Sequence, residues 1–199
     1  MTIDPHKTAL LMTDMQRDFM DPDGVYGRHG LAVGSLRRLI PPVARVAEAS
    51  RAAGLPLFAS KFTIWTSPAG AAIGIGHIVG ARPFLAKEGF RRGDPGRELV
   101  AGLPRPDYHL DKPRFSAFHG TPLEPLLRSL GATTLVLTGI VTNGGVEATA
   151  RDAILRDFGV VVLEDCVGAL DDELHRGSLR NMGAYMTVAS AAEYLEALK

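Results

Sequence analysis

Four short apolar runs, Thr8–Thr13, Leu55–Ser60, Thr133–Thr138 and Val160–Leu163, each break off at a turn signal. Runs this short and this continuously apolar read as strands buried on both faces, the pattern of a parallel sheet. The stretches between them carry a helical period. Pro41–Ala53 sets Val43, Val46 and Ala47 on one stripe, opens on prolines and stops at Gly54. Thr121–Leu130 aligns Leu123, Leu126, Leu127 and Leu130 and stops at Gly131. Gly145–Phe158 aligns Val146, Ala150, Ala153 and Ile154 and stops at Gly159. A glycine that ends each helix and leads straight into the next run is what a repeated βαβ unit requires.

Two weaker strands complete the series. Asp107–Leu110 runs into Asp111 and Lys112, its start confined by Pro104 and Pro106, and Tyr185–Val188 precedes a last helix over Ala189–Leu198. About six strands alternating with helices make a doubly wound α/β sheet with helices on both faces. At 199 residues the chain is expected to be one domain, 1–199, because single cores divide only beyond roughly 250 residues. No internal repeat or low-complexity linker interrupts it. The irregular stretch is Thr63–Gly96, rich in glycine and broken by Pro68, Pro83 and Pro95, and it reads as substrate-facing loops.

Charge narrows the partners. The 22 basic and 22 acidic side chains cancel, so a nucleic-acid or anionic-membrane footprint is not expected. No apolar run approaches the roughly 20 residues of a membrane helix. The opening MTIDPHKTALLMTD places Asp4 before its apolar run and does not read as a secretory leader. A single cysteine excludes an intramolecular disulfide framework, and the cytoplasm is the expected location. Gly24, Gly27 and Gly30 follow no strand, so they make no dinucleotide fingerprint.

Ligands of open α/β sheets bind beyond the carboxyl ends of the strands. After the first run comes Asp14, in LLMTDMQRDF; after the weak third strand comes Lys112, in YHLDKPRFSAF; after Thr133–Thr138 comes Gly139-Ile-Val-Thr-Asn-Gly-Gly-Val, which opens a helix. A carboxylate, an ammonium and a helix start can thus meet in one pocket. Asp14 ends a buried strand, where a lone carboxylate is unfavourable unless paired or functional.

LLMTDMQRDFM, GDPGREL at Gly93–Leu99, LDKPRFSAFHGTPLEPLL and LVLTGIVTNGGVEATARDA, in that order, resemble the isochorismatase-like hydrolase superfamily. The likeness extends to VVVLEDCVGA and HRGSLRNM and spans nearly the whole chain. It implies a six-stranded parallel sheet of order 3-2-1-4-5-6, a pocket completed by a neighbouring subunit, and a cis peptide at Ile140–Val141. Most members are cysteine hydrolases with their nucleophile in a TN-x-C-VE motif. Here the motif reads Thr142-Asn143-Gly144-Gly145-Val146-Glu147, so Gly145 takes the nucleophile position and covalent acyl-enzyme chemistry there is excluded. The true isochorismatases also carry glycine there and hydrolyse a vinyl ether. Their tyrosine in this turn is replaced by Val141, and their glutamine after the second strand has no counterpart in Ser60-Lys61-Phe62-Thr63-Ile64-Trp65.

The resemblance assigns catalysis to Asp14 and Lys112 with Gly145, Asp14 shuttling a proton and Lys112 orienting it. The turn Ile140, Val141 and Gly144 lines the site, and the Gly144 and Gly145 amides are expected to meet developing negative charge. Phe19, Phe62 and Trp65 are read as pocket walls, with Phe62, Trp65 and Ile73–Ile78 also able to supply a subunit contact. Arg91 and Arg92 are either ordinary surface charge or a bidentate hold on a substrate carboxylate. Asp18 reads as a structural or solvated partner of Arg17 or Arg28. Cys166 reads as a small buried hydrophobe rather than a substitute nucleophile. His77, His109 and His119 are scattered, and neither a metal nor a cofactor is expected. The expected activity is hydrolysis of a small anionic metabolite, of vinyl-ether or related type, without a cysteine intermediate. The alternatives are an inactive binding or scaffold homologue and an amidohydrolase that uses water in place of the thiol. A homodimer or larger even-numbered assembly is expected.

Overall fold

The computed structural model describes residues 2–199. Its centre is a six-stranded sheet of β1 (Thr8–Thr13), β2 (Leu57–Phe62), β3 (Tyr108–Lys112), β4 (Thr134–Ile140), β5 (Gly159–Gly168) and β6 (Thr187–Ala189). All neighbouring pairs are parallel and the order is 3-2-1-4-5-6, as the resemblance implied. The two innermost strands explain the sequence pattern: every residue of β1 and of β2 is buried. Period-two alternation then divides their side chains between two cores. Leu10 and Met12 join one core, against Val43, Val46 and Ala47 of α1 (Ile40–Ala52) and Ala191 and Tyr194 of α5 (Ala191–Ala197). Ala9 and Leu11 join the other, against α2 (Leu123–Ser129), α3 (Glu147–Ile154) and Met182 of α4 (Asp172–Met182).

Several boundaries move, each for a stated reason. β2 begins at Leu57 rather than Leu55 and continues through Lys61 and Phe62, because both pair in register with Asp111 and Lys112. β3 accordingly reaches Lys112 instead of stopping at Leu110. The third helical pattern divides into a wide turn at Thr142–Val146 and then α3, which ends at Ile154. The chain reverses at Asp157, with φ of 59°, and Gly159 already belongs to β5. β5 runs on past Leu163, taking in exposed Glu164 and Asp165, and its pairing with β4 is irregular between Leu137 and Gly139. The last strand is Thr187–Ala189, with Tyr185 outside it; α5 begins after Ser190, whose hydroxyl and Glu193 form a capping box. Helix α4 had no apolar stripe to announce it. Only Ser178 and Met182 are buried on it, and Asp171 caps its start by accepting from the Leu174 amide.

The stretch 63–96 is not wholly irregular. Trp65–Thr66 and Ala72–Ile73 form a small antiparallel hairpin, and Ile78–Ala81 makes a helical turn. Buried Ile64, Leu85 and Phe90 anchor the stretch to the first core, with the Ile64 amide donating to the Phe90 carbonyl at 3.0 Å.

Candidate active site

The sheet changes direction of winding between β1 and β4, and there the two strand ends touch. Gly139 makes this approach possible: its φ is 96°, and a Cβ on it would lie 2.1 Å from the Thr13 carbonyl oxygen. Just past β1 the chain turns sharply at Asp14, whose φ of 51° is a left-handed conformation that Asp tolerates better than most residues. The turn is fixed by the Asp14 amide donating to the Ser60 carbonyl at 3.1 Å and by the Gln16 amide donating to the Asp14 carbonyl at 2.7 Å.

Asp14 is 4% exposed and Lys112 1%. Lys112 lies on β3, so its stem crosses the end of β2 to bring Nζ within 2.6 Å of Asp14 Oδ2. Asp14 Oδ1 accepts from Ser60 Oγ at 2.7 Å. The other two ammonium donors are taken by the carbonyls of Arg114 at 2.9 Å and Phe115 at 3.0 Å. An ammonium has three donors, so this one is fully satisfied. Its charge is available to Asp14 and to little else. That is the geometry of an orienting partner.

The turn after β4 faces this pair. The Ile140–Val141 peptide is cis. A Cβ built on Gly145 would lie 3.3 Å from Asp14 Oδ2, 3.3 Å from Thr13 Cγ2 and 3.2 Å from the Ile140 carbonyl oxygen. The backbone at Gly145 therefore adjoins the carboxylate, and no side chain intervenes. The turn is braced by Thr149 Oγ1, which donates to the Gly145 carbonyl at 2.6 Å and accepts from the Ala117 amide at 2.9 Å. Thr142 Oγ1 pairs with His175 Nδ1 of α4 at 2.8 Å. Burial lowers the His175 pKa, which favours the neutral ring in that contact.

Some expected roles change. The Gly144 amide donates to the Val141 carbonyl at 3.0 Å, so it serves the turn itself rather than an incoming anion. Ile140 buries its side chain in the first core, and Val141 is half-buried beside it. Phe19 and Phe62 are buried and belong to one aromatic cluster with Tyr26 and Phe90, the Phe19 ring 4.3 Å from Phe90 and 6.2 Å from Phe62. Phe62 carries the Lys112 ammonium 5.9 Å above its ring, which places it at the site. Trp65 stands on the hairpin, 46% exposed. The two arginines do not form a clamp. Arg91 donates to the carbonyls of Gly89 at 2.9 Å and Ala86 at 3.1 Å, and Arg92, 70% exposed at its side chain, pairs with Asp111 at 3.1 Å. Asp18 meets neither Arg17 nor Arg28: its buried carboxylate accepts from the amides of Val25 at 3.1 Å and Phe90 at 2.8 Å.

Buried polar residues besides the expected ones shape the site, Gln16 and Arg97 among them. Gln16 donates to the carbonyls of Phe62 and Arg97 at 3.0 and 2.9 Å and accepts from the Phe62 amide at 2.7 Å, clamping the end of β2 to the 93–98 segment. Arg97 donates to Thr63 Oγ1 at 3.0 Å and pairs with Asp111. Neither residue type announces such a role without the fold.

Cys166 is fully buried on β5, and burial together with Asp165 pushes its thiol up to about 12. A thiol held protonated is a poor nucleophile. Replacing Cys166 with Ala is expected to leave turnover intact and to lower stability by about 1 kcal/mol, the order for deleting one buried heavy atom. Inactivation by a thiol reagent that labels Cys166 is the result that would contradict this. Among the described residues there is no group of three or more His, Cys, Asp or Glu placed to hold a metal ion, and no helix long and apolar enough to cross a membrane.

Residues 8–193 match the isochorismatase domain family. A ureidoacrylate amidohydrolase, RutB, of Methylobacterium radiotolerans is 33% identical over 210 residues, covering 98% of this chain and 81% of the relative. The crystal structure of a cysteine hydrolase from Pseudomonas syringae pv. phaseolicola superposes with a TM-score of 0.89 at 25% identity, covering 100% of this chain and 95% of that one. N-carbamoylsarcosine amidase from Thermoplasma acidophilum superposes with a TM-score of 0.74 at 29% identity, covering 93% and 96%.

Proposed function

The chain belongs to the isochorismatase family, whose named relatives are hydrolases, and we propose that it hydrolyses a small anionic metabolite without a covalent cysteine intermediate. The observation that carries this reading is the buried Asp14–Lys112 pair set directly against Gly145. Gly145 stands where cysteine-type members carry their nucleophile, so the attacking group is water. Asp14 moves the proton, Lys112 and Ser60 hold its two oxygens in place, and we assign developing negative charge to the Gly145 amide. For a vinyl ether, Asp14 in its protonated form delivers the proton to the terminal carbon, water adds to the carbon bearing oxygen, and the proton that this water loses returns to Asp14. The adduct then splits into a carbonyl compound and an alcohol. No cofactor takes part.

A second reading has its own support. Two relatives are named as an amidohydrolase and an amidase, which favours a C–N bond as the one broken. Water then adds to the carbonyl carbon, and the departing nitrogen leaves with the proton that Asp14 received. A panel of isochorismate, simple vinyl ethers, ureido acids and small amides, with Asp14→Asn as control, separates the two. If nothing in the panel turns over, an inactive binding or scaffold homologue is the surviving reading.

We place the protein in the cytoplasm, on its lone unpaired and buried cysteine. We also propose a homodimer or larger even-numbered assembly, with exposed Trp65 and Ile73 of the hairpin in the contact. Sedimentation at micromolar concentration is expected to show at least a dimer. A sole monomeric species defeats the assembly and the shared pocket together.

A further inference from the structure

We propose that Arg114 receives the anionic group of the substrate, so that the site selects a carboxylate joined to a planar or apolar body. The proposal rests on the hydrolase reading above. It begins from the cations around Asp14, almost all of which already have partners. Lys112 has filled its three donors. Arg97 is held by Thr63, Glu98 and Asp111, and Lys61 by Glu98. Arg91 is engaged with backbone carbonyls and Arg92 with Asp111.

Arg114 differs. It follows Lys112 by two residues and gives that lysine one of its acceptors, so its backbone is part of the site. Its guanidinium donates through Nη1 alone, to the carbonyls of Pro113 at 2.8 Å and Gly74, and no carboxylate pairs with it among the described residues. Its Nε and Nη2 form the edge that binds a carboxylate through two parallel hydrogen bonds. Neither atom has a hydrogen-bond acceptor among the described residues. A Cβ on Gly76, whose φ is 62°, would lie 3.5 Å from Cζ and Nη2 and 3.6 Å from Nε, so Gly76 stacks on the face of the guanidinium and an acceptor lying in its plane can still reach the edge.

Two aromatic side chains stand on the adjoining segments. Phe115 is 55% exposed, and its ring lies 3.7 Å from where a Cβ on Gly144 would be, against the turn that carries Gly145. Trp65 packs 3.6 Å from the corresponding position on Gly74, the residue whose carbonyl Arg114 holds. A planar carboxylate can therefore place its charge on Arg114 and its body toward Phe115.

Trp65 is the only tryptophan of the chain, so its fluorescence reports on this corner. Benzoate and its neutral isostere benzamide are the probes, titrated into wild type, Arg114→Gln and Arg114→Lys, with binding checked by calorimetry. Wild type is expected to bind benzoate at least about tenfold more tightly than benzamide. Arg114→Gln is expected to weaken benzoate by about tenfold to a hundredfold while leaving benzamide unchanged, and Arg114→Lys to recover only part of the loss. Equal affinity for the two probes, no saturable benzoate binding, or unaltered benzoate binding in Arg114→Gln overturns the proposal. A parallel fall for both probes marks Arg114 as a strut for the hairpin and overturns it too. The readout is binding without turnover. A failed substrate panel therefore counts against the hydrolase reading without altering the benzoate titration, and a failed titration leaves the hydrolase reading untouched.

Discussion

Asp14→Asn is expected to lower turnover of the best substrate by about a thousandfold or more, the range for removing a positioned proton-transfer group. The substitution keeps the shape of the side chain, and its amide can still meet Ser60 Oγ and Lys112 Nζ. What it removes is the basic oxygen beside Gly145. It also leaves the buried Lys112 ammonium without a counter-charge, with only neutral oxygens as partners. Breaking a buried ion pair from one side costs about 3–5 kcal/mol, so a lower melting temperature is expected as well. The two effects separate in the double variant Asp14→Asn/Lys112→Met. Removing the stranded ammonium should return much of the lost stability and none of the turnover. Retention of more than about a tenth of the activity by a folded Asp14→Asn protein would remove Asp14 from the proton-transfer role.

The legible parts of this chain were those set by local pattern. Six consecutive residues of β1 are buried, and a run this short, bounded by turn signals, fits a strand covered on both faces. Gly54 and Gly131 end their helices in the left-handed conformation, with φ of 86° and 71°. Asp14 and Lys112 were visible because a charge at the end of an apolar run invites a question. The illegible parts depend on partners distant in sequence. Asp111 and Lys112 look like the end of a strand, yet ladder bonds to Lys61 and Phe62 carry them into β3. Arg91 looks like a carboxylate receptor, but the carbonyls around it become known only when the 85–89 backbone is folded. Asp18 looks like a structural or solvated partner of Arg17 or Arg28, and it is instead the acceptor that joins the Val25 and Phe90 amides. Helix α4 was invisible for the opposite reason: it buries only Ser178 and Met182, so its inward face carries few large apolar residues to mark it.

Gly139→Ala is expected to be the most damaging small substitution in the molecule. The added methyl carbon would stand 2.1 Å from the Thr13 carbonyl oxygen, 2.6 Å from its nitrogen and 2.9 Å from its carbonyl carbon. All three atoms are backbone, and Thr13 pairs with both Ser60 and Gly139, so no rotamer change can relieve the contact. The φ of 96° adds a conformation that alanine resists. Either β1 and β4 separate at their carboxyl ends or the residue leaves its native conformation. A loss of about 4 kcal/mol or more, reaching failure to fold, is expected. Gly131→Ala supplies the measure of φ alone. Gly131 also has a positive φ, 71°, but an added Cβ would meet nothing within 4 Å, so its cost should stay near 1–2 kcal/mol. Urea denaturation of the two variants compares them directly, and equal losses would mean that the close approach of β1 and β4 contributes nothing. The same approach sets Asp14 beside Gly145. A Gly139→Ala protein rescued by low temperature should therefore still lack turnover, because the strand ends that hold the carboxylate against the turn can no longer meet.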